Sequence, residues 1–154
     1  MKKYEMTLCF LMKDNKILLA NKKRGFGKGK YNGVGGKLEP GETKEQAMIR
    51  ECQEEINATP TEFKYMGTIE FDEYYKDEEE YNTLYLYIVT KWNGEIKESD
   101  EMKPTWFDIN NIPFDNMFQD DKYWLPLILE GKQIQAHFKL DEDYNILSHE
   151  IKII

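Results

Sequence analysis

The amino-acid sequence predicts an α+β chain: a mixed sheet with two helices, not a parallel doubly wound fold. Strand-like segments lie on both sides of one amphipathic helix, a second helical segment comes late, and no Pro- or Gly-rich linker, internal repeat or low-complexity tract divides the 154 residues. That length fits one domain over residues 1–154, large enough for a hydrophobic core without disulfides or structural metals.

Residues 4–12 read as the first strand, Asp14-Asn15 as a turn, and Ile17-Leu18-Leu19 as the second strand. Residues 25–41 hold seven of the ten glycines (Gly25, Gly27, Gly29, Gly33, Gly35, Gly36 and Gly41) and read as one long loop whose main chain can approach a ligand closely. Residues 43–57 form a helix, with Thr43 or its neighbour as cap. On a helical wheel Met48, Ile49, Cys52 and Ile56 share an arc of about 100°, and Glu51, Glu54 and Glu55 share a separate one of similar width. Residues 64–71 and 83–91 follow as strands, with Asp77-Glu78-Glu79-Glu80 between them as a solvated loop or turn. Trp92-Asn93-Gly94-Glu95 is a turn, and Thr105-Trp106-Phe107 a short strand. A second helix covers 121–129, opened by paired aspartates, and 137–140 with 146–153 make a closing hairpin.

Twenty-nine acidic against 21 basic side chains give a formal charge of −8. This excludes a protein that grips a nucleic-acid polymer through a basic surface. A small anionic ligand stays open, because a bound cation reverses the local sign. Hydrophobic content of 40% excludes a disordered chain. Cys9 and Cys52 belong to no CxxC pair, so neither a zinc site nor a disulfide framework is expected, and free thiols suit a reducing cytoplasm. Charge appears at Lys2 and Lys3 before any long apolar run, and nothing approaches the roughly 18 apolar residues of a membrane span. The expectation is a soluble, cytoplasmic protein with no membrane partner.

Glu51, Glu54 and Glu55 stand at i,i+3 and i,i+4 spacing, where like charges repel, and they lie toward the helix C-terminus, where the dipole disfavours anions. A charged solvent face beside Lys44 and Arg50 is one reading; an oxygen-liganded divalent cation, which reverses both effects, is the other. The glycine-rich segment upstream and the run Lys22-Lys23-Arg24 favour the second, a site for phosphates and magnesium.

Gly36-Lys37-Leu38-Glu39-Pro40-Gly41-Glu42, seven residues, then Arg50-Glu51-Cys52-Gln53-Glu54-Glu55-Ile56-Asn57-Ala58 resembles the Nudix box, with Asn57 where the family usually has glycine. Asparagine tolerates the left-handed conformation that ends a helix, so the helix end is expected to survive. Lys22-Lys23-Arg24-Gly25-Phe26-Gly27, Asn32-Gly33, Glu98-Ser99-Asp100-Glu101-Met102 and Asp120-Asp121-Lys122-Tyr123-Trp124 look like the animal oxidised-purine nucleoside triphosphatases of the MutT branch. The resemblance implies a Nudix fold, a mixed sheet sandwiched between helices. It also implies a Mg²⁺-dependent hydrolase, with Mn²⁺ as an alternative ion, that converts 8-oxo-dGTP to the monophosphate and pyrophosphate in nucleotide-pool sanitation.

Carried over by position, the resemblance puts metal ligation on Glu51, Glu54, Glu55, Glu101 and the carbonyl of Gly35. Catalytic roles fall on Glu54, Glu55 and Glu101, with Glu55 and Glu101 the alternative general bases, and on Arg50, which orients a neighbouring acid. Glu42 supports the metal shell through hydrogen bonds. Substrate contacts fall on Thr7, Lys22, Asn32, Gly36, Lys37, Phe71, Phe118, Asp120 and Asp121. The two aspartates have a competing role as a helix cap. Phe118 stands for a family tryptophan and Asn82 for a methionine, which makes that wall more polar and leaves open a broader Nudix activity on ordinary nucleotides. A nucleotide-sensing module without catalysis is the non-enzyme alternative. A monomer acting on a small nucleotide is expected. Tyr81, Tyr85 and Tyr87 are read as sheet packing, Trp106 and Trp124 as core, and His137 and His149 as side chains without partners.

Overall fold

A computed structural model describes residues 1–154. The apolar run Leu8-Cys9-Phe10-Leu11 lies in β1 (Lys2–Lys13) and is buried on both faces, which is why it does not alternate with polar residues. Leu8 and Phe10 join one core cluster; Cys9 and Leu11 join another on the opposite side of the sheet.

β1 turns through Asp14 and Asn15, both at positive φ, into β2 (Lys16–Lys22). β2 pairs with β3 (Tyr31–Asn32). Nearer its start, on the edge it shares with β2, β1 is met by β4 (Val34–Lys37), from Met6 opposite Lys37 to Cys9 opposite Val34. The 25–41 segment is therefore not one loop: two short strands punctuate it, because β1 and β2 offer it open edges.

The helix α1 (Lys44–Ile56) follows. It is opened by a reciprocal capping box between Thr43 and Gln46 and closed by Asn57 in the left-handed region at φ 60°, ψ 29°. Asn57 Nδ2 also donates to Glu95 O at 2.9 Å, a bond glycine could not make. β5 (Thr59–Tyr75) and β6 (Glu78–Asn93) form a long hairpin, and β6 runs parallel to β1. Both strands exceed the expected lengths. The hairpin turns on Lys76 and Asp77 at positive φ, so Glu78, Glu79 and Glu80 belong to β6 rather than to a loop, and Glu80 is buried. β5 bulges at Gly67, where a Cβ would lie 1.9 Å from the carbonyl oxygen of Ile134.

β7 (Met102–Asp108) pairs with β2. After one 3₁₀ turn at Phe114–Asn116 comes α2 (Asp121–Leu129), then β8 (Ile134–Leu140) parallel to β5, and β9 (Ile146–Ile153) antiparallel to β8. The main path of the sheet runs β3-β2-β1-β6-β5-β8-β9. Trp124, Leu125 and Ile128 of α2 pack on the face of Leu8 and Phe10, and Met48, Cys52 and Ile56 of α1 pack on the face of Cys9 and Leu11. The sheet is thus mixed and held between two helices, as expected.

Trp124 and Tyr87 are fully buried, and Trp106 stacks on Trp92 at 6.0 Å between ring centroids. The histidines do have partners. His137 Nε2 lies 2.6 Å from Asp72 Oδ2, and the His149 ring stacks on Phe138 at 5.3 Å. These neighbours sit across strands and are visible only once the register is known.

Candidate active site

β4, α1 and the loop between them converge on Arg50. Its Nε and Nη2 donate to the two oxygens of Glu42 at 2.7 and 3.0 Å. Nη1 donates to Glu51 at 2.8 Å and Glu54 at 3.2 Å, and Nη2 also reaches the carbonyl of Lys37 at 3.1 Å. The planar, forked guanidinium makes this bidentate pairing possible. It holds Glu42 below the usual carboxylate range and raises the guanidinium further above its own. Arg50 thus orients acids, as expected, and Glu42 anchors it.

Glu51 packs against the backbone of Gly36, where a Cβ would lie 2.6 Å from Glu51 Oε1. Beside it, Glu55 is buried and its Oε2 has no partner. Burial first, then a hydrogen bond with Glu51 and the charges of Glu51 and Glu101, push the Glu55 carboxyl up to about 9. Glu101 reaches this group from the loop before β7, with Oε1 3.4 Å from Arg24 Nη2 and its carbonyl accepting from Lys23 N at 2.8 Å. Beneath α1 the buried thiols of Cys9 and Cys52 lie 3.1 Å apart, unbridged.

On the other side of β4 a cavity of about 460 Å³ opens. Thr7, Lys22, Asn32, Gly36, Phe71, Phe118, Asp120 and Asp121 all line it, and Gly35 does too. Lys37 does not: its ammonium sits 3.8 Å above the Tyr4 ring. The Thr7 hydroxyl is buried without a partner, and Asn32 Oδ1 accepts from Gly33 N at 2.8 Å. Phe118 stacks with Phe26 at 5.4 Å, and Tyr144 packs on the same ring of Phe26, giving the mouth an aromatic rim.

The paired aspartates do not cap α2. Asp120, at the N-cap, has helical dihedrals and no side-chain capping bond. Its Oδ2 accepts instead from Trp124 Nε1 at 2.8 Å. Burial raises both carboxyls, that of Asp121 well above its usual range, with the charge and hydrogen bond of Asp120 adding to the effect. The pair therefore favours sharing one proton, and the buried Oδ2 of Asp121 is left without a protein partner.

A family model described as the NUDIX domain matches residues 3–128. The chain belongs to the Nudix family. It is 41% identical over 146 residues to an oxidized purine nucleoside triphosphate hydrolase of Danio rerio, covering 95% of this chain and 92% of the relative. Identity to the mouse protein of the same description is 36% over the same shares. In fold it is similar to a crystal structure of MutT protein from Bacillus halodurans, with TM-score 0.85 and 24% identity over 97% of each chain. No helix is long and apolar enough to cross a membrane.

Nudix hydrolases generally use a divalent metal. As oriented here, Glu51 and Glu54 lean on Arg50, and no three ligating side chains stand together at metal-ligand spacing. The chemistry of the donors nevertheless suits a hard cation. All are oxygens, the orphaned Glu55 Oε2 has no other partner, and the proton that burial and repulsion force onto Glu55 is one a cation would displace. Three lining residues that sequence reasoning did not select are Phe26, Glu73 and Tyr144. Glu73 carried a signal: two residues beyond Phe71 on a strand, it points to the same face.

Proposed function

We propose that this Nudix hydrolase cleaves oxidised purine nucleoside triphosphates, 8-oxo-dGTP first, to the nucleoside monophosphate and pyrophosphate. The observation that carries the reading is the buried Asp120–Asp121 pair, freed from capping and facing a cavity that extends to Gly35 and Gly36 at the edge of the acidic helix. A carboxyl and a carboxylate side by side give one donor and one acceptor for a purine edge. The oxidised-purine hydrolases of zebrafish and mouse support the substrate class.

In this reading Asn32 Nδ2 donates to a purine acceptor, Phe71 and Phe118 wall the base, and Thr7 and Lys22 meet the base and sugar. Lys37 stays outside the base pocket. Glu51, Glu54, Glu55, Glu101 and the Gly35 carbonyl would hold Mg²⁺, or Mn²⁺ in its place. When bound, it neutralises phosphate oxygens and makes an attacking water more acidic. Glu55, buried and unpartnered at Oε2, would take up a proton from an attacking water, and Glu101 is the competing base. Arg50, tied to Glu42, fixes the carboxylates of Glu51 and Glu54 through hydrogen bonds. The protein is one domain over 1–154 and a monomer. It serves the cytoplasmic nucleotide pool, where reduced Cys9 and Cys52 are at home.

Pyrophosphate release from 8-oxo-dGTP and dGTP, each with Mg²⁺ and with chelator, tests this. Metal-dependent turnover with a strong preference for 8-oxo-dGTP is expected. Equal kcat/KM for the two nucleotides would sink the sanitising role and favour a broader Nudix activity, the reading that Phe118 and Asn82 support.

A further inference from the structure

A third carboxylate faces the cavity. Glu73 lines it together with Asp120 and Asp121. Across the β5–β6 hairpin Glu73 is paired directly with Glu80, an unfavourable placement of two acids, and Glu80 is only 7% exposed. Asn82 reconciles them: its Nδ2 donates to Glu73 Oε1 and, at 3.2 Å, to Glu80 Oε1. Asn82 is itself 2% exposed, and its Oδ1 is buried without a partner.

Asn82 has spent its N–H groups on the two glutamates. Glu73 Oε1 is taken by Asn82, and no protein donor meets Oε2. Asn82 Oδ1 and Asp121 Oδ2 are likewise unmet. A carboxylate that faces the cavity with one oxygen free is completed by a ligand that supplies an N–H group there. Burial raises the Glu73 carboxyl, and the charges of Asp120 and Glu80 raise it further, which places Glu73 within electrostatic reach of the aspartate pair.

Resting on the oxidised-purine reading above, we propose that Glu73, oriented by Asn82, is a specificity-determining residue whose free oxygen accepts a hydrogen bond from the exocyclic amino group of the purine. An amino group offers two N–H bonds from one nitrogen, which suits carboxylates on adjacent walls, Glu73 from β5 and the aspartate pair from the start of α2. A base lacking the amino group leaves Glu73 desolvated and unpaired. The site therefore takes aminopurine nucleotides and rejects their hypoxanthine-type counterparts.

The test compares kcat/KM for 8-oxo-dGTP and 8-oxo-dITP, which differ only in the 2-amino group, in the full chain with Mg²⁺. The unmodified protein should favour 8-oxo-dGTP by at least about tenfold. Glu73→Gln, of the same shape, should lower turnover of 8-oxo-dGTP more than that of 8-oxo-dITP, so that the ratio shrinks at least about fivefold, with thermal melting showing the variant folded. A wild-type ratio near one overturns the proposal without any variant, and so does a ratio that survives in Glu73→Gln. If neither nucleotide is hydrolysed, the oxidised-purine reading itself has failed, and this assignment falls with it.

Discussion

Replacing Glu55 by Gln should stabilise the metal-free protein while abolishing its activity. The carboxyl is buried beside Glu51 and Glu101 and pushed up to about 9, from an ordinary value of 4.5. In the unfolded chain Glu55 ionises as the pH rises through about 4.5, while the folded chain keeps its proton until about 9. Over that window the folded state binds more protons than the unfolded one, so stability falls as pH rises. Between pH 4.5 and neutrality the loss is roughly 3 kcal/mol, at about 1.36 kcal/mol for each pH unit crossed. The Glu55→Gln variant would carry no such penalty, and its amide can donate to Glu51 as the carboxyl proton does. For a chain of this size, roughly 3 kcal/mol moves the melting temperature by about 6–12 °C.

The assay is thermal melting from pH 5 to pH 8 in chelator, then again with Mg²⁺. The wild-type Tm should fall across that range and Glu55→Gln should hold a flatter, higher curve. Mg²⁺ should raise the wild-type Tm, since a ligand that binds only the folded state stabilises it, and should raise that of Glu55→Gln much less. Turnover of 8-oxo-dGTP should be lost in the variant. A variant melting at or below wild type at pH 7.5 in chelator would refute the argument, because Glu55 would then be relieved by a partner that the folded structure does not contain.

Asp121→Asn should cut kcat/KM for 8-oxo-dGTP at least about tenfold through loss of the proton-sharing pair, with no fall in Tm, since asparagine keeps the shape of a carboxyl whose charged form burial disfavours; a drop in Tm with kinetics intact would return it to a structural role. Arg50→Lys keeps the charge but not the fork to Glu42, so metal affinity, read by Mg²⁺ titration of activity, should weaken about 10–100-fold. Gly36→Ala puts a methyl 2.6 Å from Glu51 Oε1, the end of a side chain that can shift, so kcat should fall by at least about tenfold while the chain still folds; unchanged kcat would show that Glu51 does not need its position against β4. Gly35→Ala meets the carbonyl oxygen of Thr7 at 1.8 Å, which backbone cannot yield, and should lower Tm sharply by parting β4 from β1.

Much of this is legible in the sequence. The helix over 43–57 announced its cap, its apolar stripe and its acids, and the left-handed Asn57 followed from the tolerance of asparagine for that conformation. What local reasoning missed depends on distant partners. Residues 31–37 hold strands only because β1 and β2 leave edges for them. Glu78 to Glu80 look like a solvated run, yet the turn needs only Lys76 and Asp77, and pairing with β5 draws the glutamates into the sheet. The choice between capping and ligand binding at Asp120 and Asp121 also lay beyond the sequence, because both uses favour the same residue type at the same place. The helical dihedrals of Asp120 and its bond to Trp124 decide against capping.

The two acidic groups are informative for a shared reason. On α1 the acids oppose one another, and the dipole opposes them; at the start of α2 two aspartates are buried together without capping. In each case local physics disfavours the arrangement, and in each an oxygen is left buried without a protein partner, Glu55 Oε2 in one and Asp121 Oδ2 in the other. Asn82 Oδ1, beside Glu73 and Glu80, is a third. A fold tolerates such atoms where something outside the chain completes them. The orphan on α1 asks for a cation, and that of the proton-sharing aspartates asks for a hydrogen-bond partner on a ligand. A purine triphosphate with its metal provides both, and β4, whose Gly35 and Gly36 line the cavity while Gly36 backs onto Glu51, fixes the spacing between the two demands.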